Sequence, residues 1–240
     1  MGTILRALLV LLPLAVSACA EPGESRSGAA RAAAAPAAES AATTARTRIV
    51  FLGDSLTAGL GLPRQQSVPS LVQARLDAEG YPYEVVNAGV SGDTSAGGLR
   101  RLDWALEGNV AVLVVELGAN DGLRGLPVEQ MKQNLAQIVA RAKARNITVI
   151  LTGMEAPPNY GPQYTAEFRR AFRDLADEQG VIFVPFFLEG VAGIPSLNNG
   201  DGIHPNAAGA QIIERTIWLA LAPVLERRAT ETQRRGGNPS

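Results

Sequence analysis

Five short apolar segments, separated by amphipathic stretches, limit how this chain can fold more than any other feature. Each segment is rich in Val and Ile, is continuous rather than alternating, and leads into Gly, Asp, Asn or Pro. Continuous runs of this kind are typical of strands that are buried on both faces, as in a parallel sheet. The predicted strands are 48–55, 83–90, 110–121, 147–155 and 181–187.

The stretches between these strands carry the spacing of amphipathic helices, predicted over 70–80, 128–146, 165–180 and 207–228. Pro127 precedes the second helix, while Gly80 and Gly180 end the first and third, as is typical of helix boundaries. Alternating strands and helices predict an α/β sandwich with right-handed crossovers around a five-stranded parallel sheet. In such sheets, ligands bind at the carboxyl ends of the strands.

Residues 1–19 are predicted to be a lipoprotein-type signal peptide. Arg6 precedes an apolar run at 7–16, which is too short and wrongly flanked for a spanning helix. The letters VSAC resemble a bacterial lipobox, in which the Cys becomes the lipidated first residue of the mature protein. Cys19 is therefore the predicted lipidation site, with cleavage of an ordinary signal peptide at a nearby Ala as the alternative. The chain is expected on the periplasmic face of the envelope, and Ala20 favours the outer membrane.

The remaining ends of the chain are predicted to be disordered. Residues 20–46 are Ala, Ser, Gly and Pro with scattered charges and no large apolar residue, so they cannot form a core and are expected to be a flexible tether. Residues 229–240 are predicted to be a polar tail of the same kind. One folded domain is therefore expected over residues 47–228.

Composition argues against several classes of function. The formal net charge is −1 and no basic block occurs, so nucleic-acid binding has no electrostatic support. A single His and a single Cys cannot supply a zinc site, and one Cys cannot form a disulfide within the chain. No dinucleotide-binding loop or Walker lysine motif occurs either. We expect a monomer without metal or cofactor, held at a membrane only by its N-terminal lipid.

Four polar loops that contain glycine follow four of the predicted strands, and they should meet at one edge of the sheet. Their sequences are GDSLT (53–57), NAGVSGDT (87–94), GANDG (118–122) and DGIHPN (201–206). Together they contain the residue types that acyl transfer needs. A serine hydroxyl is a weak nucleophile, so a base must remove its proton during attack. Backbone and amide N–H groups must then stabilise the oxyanion that forms.

The predicted triad is Ser55, His204 and Asp201. Ser55 lies at a strand-to-helix turn, and His204 is the base by elimination because no other His exists. The D-x-x-H spacing lets Asp201 fold back to the imidazole, fix its tautomer and stabilise its charged form. Taken locally, DGIHPN could instead be a surface turn, and Ser55 could simply cap the helix that follows it.

The predicted oxyanion donors are the backbone N–H groups of Ser55 and Gly92 and the side-chain amide of Asn120. Gly92 lacks a Cβ, so its backbone can approach a ligand closely. Asn120 follows the third strand, at the edge where ligands bind in this class of sheet. The neighbouring Asp54 is expected to have a structural role, holding its turn through backbone hydrogen bonds.

The four loops, in this order and spacing, resemble the four sequence blocks of the SGNH, or GDSL, hydrolase superfamily. VELGANDGLRG (115–125), PPNYG (157–161) and VPFF (184–187) are most similar to its bacterial branch of exported arylesterases and type I acyl-thioesterases with lysophospholipase activity. The resemblance spans residues 48–225. It implies a flavodoxin-like three-layer α/β/α sandwich and a serine esterase that hydrolyses carboxylic esters, thioesters or lipid esters.

Carried over by position, the resemblance implies that Ser55 is the nucleophile, that Gly92 and Asn120 help form the oxyanion hole, and that Asp201 and His204 complete the triad. A carbohydrate or peptidoglycan O-acetylesterase could use the same triad. A non-catalytic binding protein tethered to the envelope is the alternative from another class, although the complete five-residue set argues against it. Glycoside hydrolysis by paired carboxylates stays possible but leaves the four loops unexplained.

Overall fold

A five-stranded sheet with parallel strands in the order β2-β1-β3-β4-β5 forms the centre of the fold. The computed structural model describes residues 46–236, so the predicted signal peptide with Cys19 and the tether before residue 46 lie outside the described residues. The strands are β1 (Thr47–Gly53), β2 (Tyr83–Gly89), β3 (Val110–Glu116), β4 (Thr148–Thr152) and β5 (Ile182–Val184). The predicted α/β class and five-stranded parallel sheet are confirmed. This order is flavodoxin-like, and it places the ligand crevice between β1 and β3.

Helices cover both faces of the sheet in the described part of the chain. They are α1 (Ser55–Ala58), α2 (Val68–Ala78), α3 (Ser95–Arg100), α4 (Leu102–Ala105), α5 (Ala119–Leu123), α6 (Val128–Ala144), α7 (Pro162–Gln179) and α8 (Ala207–Gly236). Helices α2 and α8 pack together on one face, while α6 packs between α3 and α7 on the other. Among the described residues, no helix is both long and apolar enough to cross a membrane.

The two central strands explain the continuous apolar runs. Residues 49–52 of β1 and 112–115 of β3 are completely buried, because helices cover the sheet on both faces. The predicted strands are longer than the observed ones at their carboxyl ends. After β3, for example, Gly118 takes a positive φ of 115°, and α5 begins at the next residue. The residues beyond the strand ends are the ones that carry the polar loops.

Three helices extend beyond their predicted limits, and the first of them, α2, begins at Val68 rather than at 70. Helix α7 begins at Pro162 rather than at 165, because proline is favoured in the first turn of a helix, where its missing N–H has no partner to lose. Helix α8 continues to Gly236, through most of the segment that was predicted to be a disordered tail from 229 onward. Residues 229–236 contain Ala, Glu, Gln and Arg, which are strong helix formers, so the helix does not need a buried face to continue there.

Candidate active site

Ser55 is the first residue of α1, directly after β1. The preceding residue, Asp54, caps this helix, because its Oδ1 accepts a hydrogen bond of 3.0 Å from the Leu56 N–H. A Cβ on Gly53 would lie only 2.0 Å from Thr57 Oγ1, so the glycine lets the helix turn back tightly over the strand. The tight turn therefore places Ser55 at the carboxyl edge of the sheet, where the residue is only 9% exposed.

His204 joins Ser55 to Asp201 in a continuous chain of hydrogen bonds. Its Nε2 lies 2.8 Å from Ser55 Oγ, and its Nδ1 lies 2.7 Å from Asp201 Oδ2. A proton on Nδ1, donated to the carboxylate, leaves Nε2 free to accept the serine proton. The three side chains predicted from distant parts of the sequence are therefore within hydrogen-bond distance of one another.

The short loop that carries His204 is organised by its own acidic residue. Asp201 Oδ1 accepts hydrogen bonds from the backbone N–H groups of His204 (3.0 Å) and Ile203 (2.9 Å). These bonds, with the imidazole contact, lower the pKa of Asp201 to about 2. Asn206 ends the loop by capping α8, since its Oδ1 accepts from the N–H groups of Ala208 and Gly209. The DGIHPN motif is thus a turn that holds an ionised carboxylate against the imidazole.

The second and third loops approach the same edge. Gly92 has a φ of 83°, and a Cβ there would have only Arg124 Nη2 nearby, at 3.9 Å, so the backbone angle rather than crowding favours glycine. Asn120 is the second residue of α5, and its Nδ2 lies 2.9 Å from both Asp54 Oδ2 and the backbone oxygen of Asp93. Asn120 therefore links the loops that follow β1, β2 and β3.

Residues 51–212 match the model of the GDSL-like lipase/acylhydrolase family. The chain belongs to this family. The family predicted from the four sequence blocks is therefore confirmed, and the matched region contains all four loops described above.

Characterised members of this GDSL-like family resemble the chain over most of their length. Esterase TesA of Pseudomonas aeruginosa is 47% identical over 178 residues, which are 74% of this chain and 89% of that protein. Thioesterase 1/protease 1/lysophospholipase L1 of Escherichia coli K12 is 38% identical over 178 residues, or 74% of this chain and 84% of that protein. The crystal structure of the psychrotrophic esterase EstA from Pseudoalteromonas sp., inhibited by monoethylphosphonate, is 36% identical and has a TM-score of 0.71. The match covers 75% of this chain and 99% of that structure.

A pair of buried carboxyl groups lies beneath the GDSL turn, and sequence reasoning did not find it. Glu116, the last residue of β3, is 1% exposed, and its Oε2 accepts hydrogen bonds from Thr57 Oγ1 (2.8 Å) and, at longer range, from the Asp54 N–H (3.4 Å). Its Oε1 is buried without a hydrogen-bond partner. The one available signal was an acidic residue at the end of the apolar run VAVLVVE.

The surroundings of this pair favour the protonated form of a carboxyl group. Burial raises the pKa of Asp54 to about 6. Burial, and then the charge of Asp54, raise the pKa of Glu116 well above its usual range. Of the two, Glu116 therefore holds its proton to the higher pH. The folded pair therefore favours a bound proton more than the two carboxyl groups do in the unfolded chain.

Large apolar side chains are exposed around this edge of the sheet. Tyr160 and Tyr164, which follow β4, donate hydroxyl hydrogen bonds to the backbone oxygens of Leu123 (3.0 Å) and Leu126 (2.8 Å). The segment after β4 therefore packs against the segment after β3. Exposed apolar residues in the segments that follow the five strands include Leu60, Val90, Leu123, Leu126, Tyr160, Ile194 and Ile203.

Proposed function

We propose that this protein is a serine hydrolase of carboxylic esters and thioesters, in which Ser55, His204 and Asp201 form the catalytic triad. The observation that carries the proposal is the hydrogen-bonded chain of 2.8 Å and 2.7 Å from Ser55 Oγ through the imidazole to Asp201. Neither a surface turn nor a helix cap requires that contact, whereas acyl transfer does.

The first half of the reaction acylates the serine. As Ser55 Oγ attacks the acyl carbon, its proton moves to His204 Nε2, and the carboxylate of Asp201 stabilises the imidazolium. When the tetrahedral intermediate collapses, the bond to the leaving alcohol or thiol breaks, and His204 gives that group its proton. In the second half, His204 takes a proton from water as the water oxygen attacks the acyl carbon. When this second intermediate collapses, the bond between the acyl carbon and Ser55 Oγ breaks, His204 returns the proton to Oγ, and the acid is released.

The proposed oxyanion donors are the N–H groups of Ser55 and Gly92 and the side-chain amide of Asn120. The amide has two hydrogens, and its nitrogen already contacts two acceptors, Asp54 Oδ2 and the Asp93 oxygen. Asn120 can stabilise the oxyanion only if one of these bonds is shared or exchanged as the charge develops. The added stabilisation then appears in the transition state rather than in the ground state, which raises turnover rather than affinity.

We propose substrates with an apolar acyl or aryl group. The exposed leucines, valine, isoleucines and tyrosine around the site provide apolar surface for such a group. The names of the relatives support ester and thioester substrates, including a lysophospholipid. Activity on acetylated sugars is the outcome that would favour an O-acetylesterase instead.

We also propose that the protein is exported and attached to the periplasmic face of the outer membrane through Cys19. The support is the VSAC sequence and the length of the polar segment between Cys19 and the folded domain. Labelling with radioactive palmitate in a bacterial host, followed by membrane fractionation, tests the anchor. Cys19→Ser should abolish the label and release the protein from the membrane fraction, and a labelled Cys19→Ser variant would refute this site.

Hydrolysis of p-nitrophenyl esters from acetate to palmitate tests the catalytic proposal, with purified full-length protein and Ser55→Ala in parallel. We expect turnover that disappears in the variant, and a fluorophosphonate probe that labels the wild type but not Ser55→Ala. The chain-length profile would define the size of the acyl site. A folded wild type that neither turns over nor takes up the probe would indicate a non-catalytic binding protein.

A further inference from the structure

The three proposed oxyanion donors lie on three separate loops, so their spacing must be maintained by something other than one continuous element. The backbone pairing between β1 and β2 ends at Gly53 and Gly89. The pairing between β1 and β3 ends at Gly53 and Glu116. The donors come just after these points. Displacement of an oxyanion donor by even about 1 Å weakens transition-state stabilisation, because the hydrogen bonds depend on preorganised geometry.

Arg101, between α3 and α4, connects these loops through three separate nitrogens. Its Nη2 donates to the backbone oxygen of Gly53 (2.8 Å), and its Nη1 donates to the backbone oxygen of Ala88 (2.6 Å). Its Nε donates to Asp93 Oδ2 (2.6 Å). One guanidinium group therefore contacts the end of β1, the end of β2 and the loop that follows β2.

The third loop is connected to this guanidinium through Asp93. The carboxylate of Asp93 accepts from Arg101, while its backbone oxygen accepts from Asn120 Nδ2 at 2.9 Å. Asp93 is also the residue after Gly92, whose N–H is the proposed second donor. Arg124 donates to the Gly92 oxygen at 2.9 Å as well, but this contact is exposed and reaches neither β1 nor β2.

The chemistry of the Arg101 contact suits a positioning role. The side chains of Arg101 and Asp93 are only 17% and 18% exposed, so their ion pair is less screened than pairs on the open surface. Guanidinium presents a rigid planar fork of donors, whereas lysine is a single flexible point charge. Lysine at this position could satisfy one or two of the three acceptors but not all of them in the same geometry.

We propose that Arg101 is a positioning residue that sets the relative placement of the oxyanion donors of Ser55, Gly92 and Asn120. It does so by joining Gly53, Ala88 and Asp93 through one planar group. The inference rests on the proposed function, because it assigns a role within the same active site. Arg101 itself makes no hydrogen bond to Ser55, His204 or Asp201.

Arg101→Gln and Arg101→Lys test this proposal in the full-length protein, with Arg100→Gln as the matched control. Arg100 is the exposed neighbour on α3, and the control loses the same charge. We expect kcat to fall by roughly 10- to 100-fold in Arg101→Gln and less in Arg101→Lys, with KM within about twofold of the wild type. Arg100→Gln should match the wild type in both constants.

The binding affinity of an alkyl trifluoromethyl ketone provides a second measurement, because this inhibitor forms a tetrahedral adduct with a catalytic serine. If Arg101 only stabilised the fold, its substitution would not lower this affinity in the folded protein. The affinity for the ketone should fall in Arg101→Gln by about the same factor as kcat/KM, because both depend on the oxyanion donors. An unchanged analogue affinity in the folded variant would overturn the proposal, as would a loss that appears only in KM. If Arg101→Gln does not fold, the same two readouts in Arg101→Lys decide the question.

Asp93→Asn gives an independent check, because it keeps the backbone oxygen that Asn120 contacts and removes only the charged partner of Arg101. The double variant Arg101→Lys/Asp93→Asn should lose less activity than the product of the single losses, since both act on one connection. If the activity loss of the double variant equals the product of the two single losses, the result would count against a shared connection through Arg101 and Asp93. Fluorophosphonate labelling of wild-type Ser55 separates the two proposals: if the wild type is not labelled, the hydrolase function itself is wrong.

Discussion

Glu116→Gln should stabilise this protein at neutral pH, although it alters a completely buried residue of the central sheet. In the folded state burial, and then the charge of the adjacent Asp54, raise the pKa of Glu116 well above its usual range and so favour its protonated form. In the unfolded chain the same carboxyl is ionised at pH 7. Folding therefore favours uptake of a proton by this carboxyl, and Gln, which is already neutral, does not require one.

The size of this effect follows from the ordinary pKa of a glutamate. An unfolded Glu has a pKa of about 4.3, and keeping it protonated costs about 1.36 kcal/mol for each pH unit above that value. This cost stops rising once the pH passes the folded pKa, so it is on the order of 1 kcal/mol for each pH unit by which burial and Asp54 raise that pKa. The Gln amide oxygen can keep the acceptor for Thr57 Oγ1, whereas its N–H groups would occupy the buried Oε1 position, which has no hydrogen-bond partner, and this offsets part of the gain. We therefore expect the free energy of unfolding to rise at pH 7, by on the order of 1 kcal/mol or more.

The sign of the pH dependence separates this explanation from a simple packing effect. Because the folded pKa of Glu116 is raised, its contribution to stability is fully present below the unfolded pKa and is lost as pH rises toward the folded value. The difference in unfolding free energy between Glu116→Gln and wild type should therefore grow, by up to about 1.36 kcal/mol per pH unit, as the pH rises from about 4.3 toward the folded pKa of Glu116. His204, whose charge lowers the pKa of Asp54, is present in both proteins and cancels in this difference.

Urea denaturation at several pH values measures this difference, with Glu167→Gln as a control on the exposed surface of α7. The control should change stability by less than about 0.5 kcal/mol at every pH. A Glu116→Gln protein whose stability difference from the wild type does not change with pH would refute the raised pKa of Glu116. If Glu116→Gln is less stable than the wild type by the same amount at every pH, Glu116 is instead an ionised residue that stabilises the fold.

Four further substitutions test how the site is assembled. Ser55→Ala should reduce turnover by more than about 10⁴-fold while its urea midpoint stays near that of the wild type, and residual activity close to wild type would refute its role as nucleophile. Asn120→Ala should lower kcat by roughly 10²–10³-fold with little change in KM, whereas a loss confined to KM would make it a substrate-binding group. Gly89→Ala should both destabilise the protein and impair activity, because its Cβ would lie 2.3 Å from the backbone nitrogen of Ala58. Gly92→Ala should lower the unfolding free energy by only about 1–2 kcal/mol in the same denaturation assay, because the space around Gly92 is open and only its φ of 83° disfavours alanine. Equal losses at Gly89 and Gly92 would contradict this difference between steric crowding and backbone strain.

Much of the fold and of the site could be predicted because the relevant information is local. The continuous apolar runs predicted strands that are buried on both faces, and β1 and β3 are buried in that way. The polar loops predicted an active edge, because parallel strands end together at one side of a sheet. The contact between Asp201 and His204 is also local, since a three-residue turn brings the carboxylate back to the imidazole. The contact with Ser55, 149 residues away, follows only if the sheet forms.

Local signals were less informative where two outcomes have similar free energies. The segment after residue 228 is polar enough for a tail and also rich in helix formers, and in the structure α8 continues through it to Gly236. The beginning of α7 was placed three residues late because Pro162 was treated as part of a loop rather than as a first-turn residue. One error concerns where a helix ends and the other where a helix begins, and neither changes the carboxyl edge of the sheet.

The sequence by itself determined the sheet, the order of the loops and the residue types available for catalysis, because periodicity and turn chemistry act over a few residues. Only the tertiary structure decided which polar groups share a buried space. Burial with a neighbouring carboxyl, not its own sequence context, gives Glu116 its raised pKa. Arg101 looks like an ordinary helix-end cation until the ends of β1 and β2 and the loop of Asp93 come together around it. Such roles depend on distances between segments that are far apart in the chain, which no local pattern encodes.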